Sequence, residues 1–113
     1  MHELSLVAAI ADHALHALRG AGATQVVAVD LSLGVLSCAN RASLEFCFPL
    51  AVRGTALEGA ELRIRSAPLV LACGACGRQS ERMDPVLRCP HCDDAGVDVI
   101  SGADLTIDSL EVR

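Results

Sequence analysis

The sequence predicts an α+β protein in which two helices pack on a three-stranded sheet, interrupted by a small zinc-ribbon-like four-cysteine domain. Three observations predict this class: helical spacing of apolar residues near the start, short segments of alternating apolar and polar residues, and two Cys-x-x-Cys pairs. Of the 113 residues, 52% are hydrophobic and only 2% aromatic, so the core must consist mainly of small aliphatic side chains.

The first predicted element is an amphipathic helix over residues 4–19, which Gly20 and Gly22 should end. Its apolar residues recur at helical spacing, and Leu6 and Ile10 widen the stripe. The stripe comprises Leu4, Val7, Ala8, Ala11, Leu15 and Leu18. His13 and His16 fall mostly on the outer face, where the alternatives are ordinary surface histidines or an auxiliary metal site.

Strands and one further helix are predicted after it. Residues 25–33 alternate as a half-buried strand, and Asn40 should cap a helix over 41–48 that Pro49 ends. Residues 61–65 and the tail from 105 also alternate, with a change of parity near Ser109 that predicts either a bulge or a strand buried on both faces at its end. We therefore predict one domain from 1–68 plus 101–113 and an inserted domain from 69–100, whose flanking strands could pair side by side.

Charge and composition exclude several classes of protein. The net charge is −5 and all nine basic residues are arginine, which argues against nucleic acid as the main partner. No segment approaches the roughly 18 consecutive apolar residues of a membrane span. No secretory signal is recognisable, so we expect a cytoplasmic protein whose thiols stay reduced.

The most specific local signal is the pair of motifs Cys73-Gly-Ala-Cys76 and Cys89-Pro-His-Cys92. Two such turns facing each other place four thiolates in a tetrahedron, as Zn²⁺ requires in closed structural sites. With no open position for water, the metal should stabilise the fold rather than catalyse. An iron–sulfur centre, two disulfides and a redox pair are the alternatives. His91, inside the second turn, is either a solvated residue or an auxiliary ligand.

Two further groups of residues have weaker signals. Cys38 and Cys47 lack a nearby cysteine partner and are expected to be buried small apolar residues.

At the N-terminus, Met1 should be retained before His2, so that its amine, the next amide nitrogen and the imidazole form a compact chelator. Such nitrogen-rich sets suit Ni(II) or Cu(II), and Glu3 could add an oxygen. Taken alone, an unstructured terminal histidine is the simpler interpretation.

The sequence resembles the HypA/HybF family of hydrogenase-maturation nickel metallochaperones along essentially its whole length. The resemblance rests on the N-terminal motif in combination with the double cysteine pair. The segments that carry it are Met1–Leu6, Gly34–Ser37, Ser43–Phe48, Gly59–Leu62, the two cysteine pairs and Ser101–Leu105. Val35 stands where the family usually has an acidic residue, and Asn40-Arg41 where it has a proline-containing helix start.

The resemblance implies a nickel-binding α/β domain with a zinc domain inserted into it. It implies exchangeable Ni²⁺ at His2, with Glu3 and the Met1 amine, and structural Zn²⁺ on the four cysteines Cys73, Cys76, Cys89 and Cys92. It further implies a protein that is not an enzyme and that works with a GTPase maturation partner and the [NiFe]-hydrogenase large subunit; some members also serve urease. We expect a monomer or weak homodimer.

Two rival functions remain open at this point. A zinc-ribbon module for protein interaction or nucleic-acid binding, without nickel transfer, would require a basic face in the nucleic-acid case. A thiol oxidoreductase would require one low-pKa cysteine that reacts without loss of metal.

Overall fold

The computed structural model describes residues 2–113, apart from the side chain of His2. Within these residues, two helices and six strands follow one another, which confirms the predicted α+β class with two helices and a three-stranded sheet. In chain order they are α1 (His2–Ala21), β1 (Val26–Gly34), α2 (Arg41–Ala51), β2 (Glu61–Ala67), β3 (Leu69–Cys73), β4 (Gln79–Arg82), β5 (Val97–Ser101) and β6 (Leu105–Val112).

The chain divides into two compact units. The first combines the chain up to Leu31 with Ala39–Arg65 and Thr106–Arg113, and the second combines Ser32–Cys38 with Ser66–Leu105. Both helices belong to the first unit, and the four cysteines of the two Cys-x-x-Cys motifs belong to the second. The predicted limits at residues 68/69 and 100/101 stay a prediction.

One three-stranded sheet has the order β2-β1-β6. The Thr24 N–H donates to the Arg113 carbonyl (3.1 Å) and the Gly34 N–H to the Asp104 carbonyl (3.0 Å), so β6 runs antiparallel to β1. The expectation that the strands flanking the insert pair side by side is therefore wrong, because β1 lies between them. Their sequence signals were local and contained nothing about which strand occupies the centre.

The central position of β1 also explains its burial. The predicted alternation is absent, because Ala28 and Ser32 are buried while Val27 is only half-buried. A strand with a neighbour on each side is covered more completely than an edge strand. In β2 the prediction is confirmed: Ile64 is buried and Arg63 exposed.

The helices build the core of the first unit. The buried residues of α1 follow the line Val7, Ile10, Ala11, Ala14 and Leu18. The predicted stripe was therefore only partly right, since Leu4 and Ala8 are exposed. A line through positions 7, 11, 14 and 18 follows the 3.6-residue turn, and it leaves those two side chains outside the packed face.

The second helix begins as predicted and ends later than predicted. The Asn40 side chain accepts the Ser43 N–H at 3.0 Å and so forms the N-cap. The helix continues past Pro49 to Ala51, contrary to the prediction that Pro49 ends it. Proline removes only one N–H near the end of the helix, and the Val52 N–H still reaches the Phe48 carbonyl at 3.2 Å.

The second unit contains an antiparallel sheet of order β4-β3-β5. Leu71 pairs with Val99, whereas Val70 pairs with Ser101, so Ile100 is an extra residue at a bulge. Cys73 ends the central strand of this sheet, and its side chain is buried. The turn that contains Cys73 and Cys76 therefore starts from the central strand of the unit.

Candidate metal centre

Each cysteine pair is held in a tight hydrogen-bonded turn. In the first turn, the Cys73 N–H donates to the Arg78 carbonyl (2.9 Å) and the Gly77 N–H to the Cys73 carbonyl (3.0 Å). In the second turn, the Cys89 N–H donates to the Asp94 backbone carbonyl (3.0 Å) and the Asp93 N–H donates to the Cys89 carbonyl (2.8 Å). The same two bonds at the same spacing mean that both turns have one backbone design.

The two turns bring four sulfur atoms together, as the sequence predicted. The Sγ atoms of Cys73, Cys76, Cys89 and Cys92 all lie within 4.8 Å of one another. Two of the separations, Cys73 to Cys92 and Cys76 to Cys89, are 3.6 Å. A tetrahedral zinc site with Zn–S bonds of about 2.3 Å has S···S edges of about 3.8 Å, so these donors fit a four-coordinate metal.

The same distances weaken the disulfide alternative. All six cysteines are free thiols. The 3.6 Å separations are far longer than the roughly 2.05 Å of a disulfide bond. Cys73 and Cys89 are buried, whereas Cys76 and Cys92 are exposed. The cluster is therefore a metal-binding site with a protected side and an open side.

Hydrogen bonds from backbone N–H groups shift the pKa values of two of these thiols. Hydrogen bonds from the backbone of Cys92 and then of His91 lower the pKa of Cys89 to about 7. For Cys92, the hydrogen bond from the Asp94 backbone lowers the pKa, but partial desolvation and hydrogen bonds with neighbouring thiols outweigh it and raise the pKa to about 12. Cys89 is therefore the first of the two thiols to ionise.

His91 lies beside this cluster with a different partner. Its Nδ1 lies 3.3 Å from Nη1 of Arg78, and both side chains are exposed. Among the described residues, the group of His, Cys and acidic side chains close enough to share a metal ion contains the four cysteines only.

At the other predicted site, the described part of the molecule begins with α1. Met1 and the side chain of His2 lie outside the described residues, so the predicted chelator is untested. Glu3 is described: its Oε2 accepts the backbone N–H of Asn40 at 3.2 Å. Its side chain also lines a shallow groove with residues from α2, namely Ala42, Ser43, Phe46 and Cys47. The sequence contains no local signal for this contact between the starts of the two helices.

Two unpaired cysteines differ from their prediction. Cys38 is exposed and Cys47 only half-buried, so the expectation of two buried apolar thiols is wrong. Cys38 lies in the connection between β1 and α2, where no periodic pattern could report burial. Cys47 neighbours the buried Phe48 in α2 but lines the groove beside Glu3.

None of the helices in the described part of the chain is both long enough and apolar enough to cross a membrane.

Comparison with known proteins identifies relatives over the whole chain. The family model described as "Hydrogenase/urease nickel incorporation, metallochaperone, hypA" matches residues 1–112. A hydrogenase maturation factor HypA from Chlorobium limicola is 39% identical over 113 residues, covering 100% of this chain and 97% of that protein. One from Streptomyces avermitilis is 43% identical, covering 97% and 86%. A hydrogenase maturation factor HybF from Klebsiella pneumoniae is 36% identical, covering 98% of each.

Solved structures agree on the fold. The solution structure of the Ni metallochaperone HypA from Helicobacter pylori matches with a TM-score of 0.73 at 18% identity, covering 97% of this chain and 96% of that one. These relatives are named as maturation factors or metallochaperones, which agrees with the prediction that the protein is not an enzyme. With its family model matched over residues 1–112, this chain belongs to the HypA family.

Proposed function

We propose that this protein is a nickel metallochaperone that delivers Ni(II) during maturation of [NiFe]-hydrogenase. The observation that carries the proposal is the match of the family model across residues 1–112, whose description names nickel incorporation. The names of relatives at 36 to 43% identity support hydrogenase as the target. The same family description names urease, which makes urease a second candidate recipient.

The nickel site that we propose comprises Met1, His2 and Glu3. The Met1 amine, the His2 amide nitrogen and the His2 imidazole supply nitrogen donors, which suit Ni(II). The start of α1 at His2 supports this site, because the first N–H groups of a helix have no acceptor within it. Nickel binding to an amide nitrogen there would break no helical hydrogen bond.

The metal that we propose for the four-cysteine site is structural Zn²⁺. Four thiolates at tetrahedral spacing close the coordination shell, so zinc bound there contributes to folding. Cys73 and Cys89 would hold it from the buried side, and Cys76 and Cys92 from the exposed side. His91 is a candidate auxiliary ligand, and it would first have to leave Arg78.

The partners that we propose are a GTPase maturation protein and the hydrogenase large subunit, in the cytoplasm. The charge of −5, without a single lysine, disfavours nucleic acid as a partner. Copper would outcompete nickel on affinity alone, so docking with these partners should contribute to selectivity. We expect a monomer or weak homodimer to perform the transfer.

Equilibrium dialysis of untagged, zinc-loaded protein tests the nickel site. His2→Ala should abolish the exchangeable nickel and leave zinc unchanged, as should a short extension that blocks the Met1 amine. The matched control is His13→Ala, which changes an exposed histidine of the same helix. If His2→Ala binds nickel at full stoichiometry, the N-terminal site is wrong. If the unmodified protein binds no nickel at all, a zinc-ribbon interaction module becomes the better function.

A further inference from the structure

The N-terminus of α2 carries half of a capping box. Asn40 supplies one half, because its side chain accepts the N–H of Ser43, the third helical residue. In a complete box, a Glu or Gln at that third position reaches back to the N–H of the capping residue. Here the third position is a serine, and the Asn40 N–H donates instead to Glu3, from α1.

Glu3 therefore contacts the starts of two helices. It lies in the first turn of α1, and its carboxylate meets the N-cap of α2 at 3.2 Å. A helix N-terminus carries a partial positive charge from its unpaired N–H groups, so a carboxylate placed there is favourable. A single anionic side chain thus stabilises both helix starts and joins them.

We propose that Glu3 is a positioning residue of the nickel site: its carboxylate completes the cap of α2 from α1, and this contact holds the Met1–His2 chelate at a fixed place on the fold. The inference rests on the proposed N-terminal nickel site. In this arrangement the nickel donors are nitrogens, and the Glu3 side chain contributes position in place of an oxygen ligand.

The physical reason is the cost of ordering a chain end. Terminal residues open locally with little free energy unless a specific contact restrains them. A chelate whose donors must converge binds more weakly when that ordering is not already complete. The hydrogen bond to Asn40 restrains the residue that directly follows the chelating histidine.

Two substitutions of Glu3 separate positioning from ligation. Glu3→Gln keeps a side-chain oxygen that can accept the Asn40 N–H, whereas Glu3→Ala removes the acceptor. We expect Glu3→Ala to weaken nickel binding about tenfold, the equivalent of about 1.4 kcal/mol, and Glu3→Gln to stay within about threefold of the wild type. The ligand-field absorption bands of bound nickel should be the same in all three proteins. Equal losses in both variants with shifted bands would show that Glu3 is a ligand, which overturns the proposal.

A second variant separates positioning from helix stability. Adding Ser43→Glu to Glu3→Ala restores a capping box within α2. It does not restore the contact between the Glu3 side chain of α1 and the Asn40 N–H. We expect this double variant to recover the midpoint of thermal unfolding and not the nickel affinity. If it recovers both, Glu3 acts only through the stability of α2, and the proposal is wrong. The double variant also keeps the test usable if Glu3→Ala alone folds poorly.

The matched control is Glu58→Ala. Glu58 also accepts a backbone N–H, from Gly54 at 2.6 Å, but in the segment after α2. Its loss should leave nickel affinity unchanged, and an equal loss there would overturn a specific role for Glu3. His2→Ala in the same titrations distinguishes failure of the proposed nickel site from failure of the positioning role of Glu3. If His2→Ala retains nickel, the proposed site itself fails; if it loses nickel while Glu3→Ala binds like the wild type, only the positioning role fails.

Discussion

Gly77 and Asp93 occupy the same position in the two metal-binding turns. Each donates its N–H to the carbonyl of the cysteine four residues earlier, and each has a left-handed backbone, with φ of 74° and 63° respectively. Asp93 is the one non-glycine residue with positive φ in the described part of the chain. Asp tolerates this region better than most residues, because its short polar side chain can form local hydrogen bonds.

Gly77→Ala should therefore destabilise the second unit more than Gly77→Asp does. Apart from the adjoining residues of the chain, no atom lies within 4 Å of where a Cβ at Gly77 would stand, so the cost is that of the backbone conformation alone. We expect about 1 to 2 kcal/mol for alanine and less for aspartate. Denaturant unfolding at a fixed free-zinc concentration measures both. Equal stability of the alanine variant and the wild type would contradict the left-handed turn.

Gly34→Ala should be more damaging, for a different reason. A Cβ on Gly34 would overlap the Gly102 carbonyl oxygen, a backbone atom that cannot move aside easily. We expect a loss of about 3 kcal/mol in the free energy of unfolding. Gly20→Ala is the control, since nothing beyond the backbone of its own helix, α1, lies within 4 Å of where its Cβ would stand. That control should stabilise the protein slightly, by about 0.5 to 1 kcal/mol. An unaffected Gly34→Ala would disprove the close approach.

Asp30 should contribute stability that depends on pH. Hydrogen bonds from Arg63, at 2.8 and 3.1 Å, and then from Ser109 hold the pKa of Asp30 below its ordinary value of 3.8. Because the folded pKa is lower than the unfolded one, the stabilisation is complete above pH 3.8 and disappears as the pH falls through the folded value. Asp30→Asn should thus be less stable than the wild type at pH 7, and the difference should vanish in strong acid.

Urea unfolding of both proteins at a series of pH values from 7 downwards checks this prediction. Comparing variants at each pH cancels the loss of metal that acid causes in both. Asp12→Asn, which removes a carboxylate from the exposed side of α1, serves as the control for the loss of one negative charge. A gap between Asp30→Asn and wild type that persists unchanged into strong acid would rule out the charge effect.

Metal removal should change which thiols react. With metal bound, we expect a maleimide to label the exposed Cys38 first and to spare the four clustered cysteines. A chelator should release all four for labelling and unfold the second unit, because metal binding in such sites is worth about 10 kcal/mol. The helical circular dichroism should largely remain, since both helices belong to the first unit. Cys38→Ser identifies the early label, and early labelling of Cys89 in the metal-bound protein would contradict the site.

Features determined by neighbouring residues could be predicted from the sequence alone. The two cysteine pairs predicted the sulfur cluster, since a C-x-x-C spacing by itself aims two thiols at one point. Asn40 predicted the start of α2, because the hydrogen bond that makes it an N-cap comes from the N–H of Ser43, only three residues later. The alternation around Ile64 predicted a half-exposed strand. The N-terminal motif, with these pairs, indicated the family.

Only the tertiary structure decided how distant segments meet. It placed β1 between β2 and β6, brought Glu3 to the cap of α2 and pressed Gly34 against Gly102. Each of these contacts joins residues more than thirty positions apart, and no spacing along the chain encodes which of many possible partners a strand or a carboxylate will reach. Local geometry follows from local sequence, whereas these contacts follow from the packing of the whole unit.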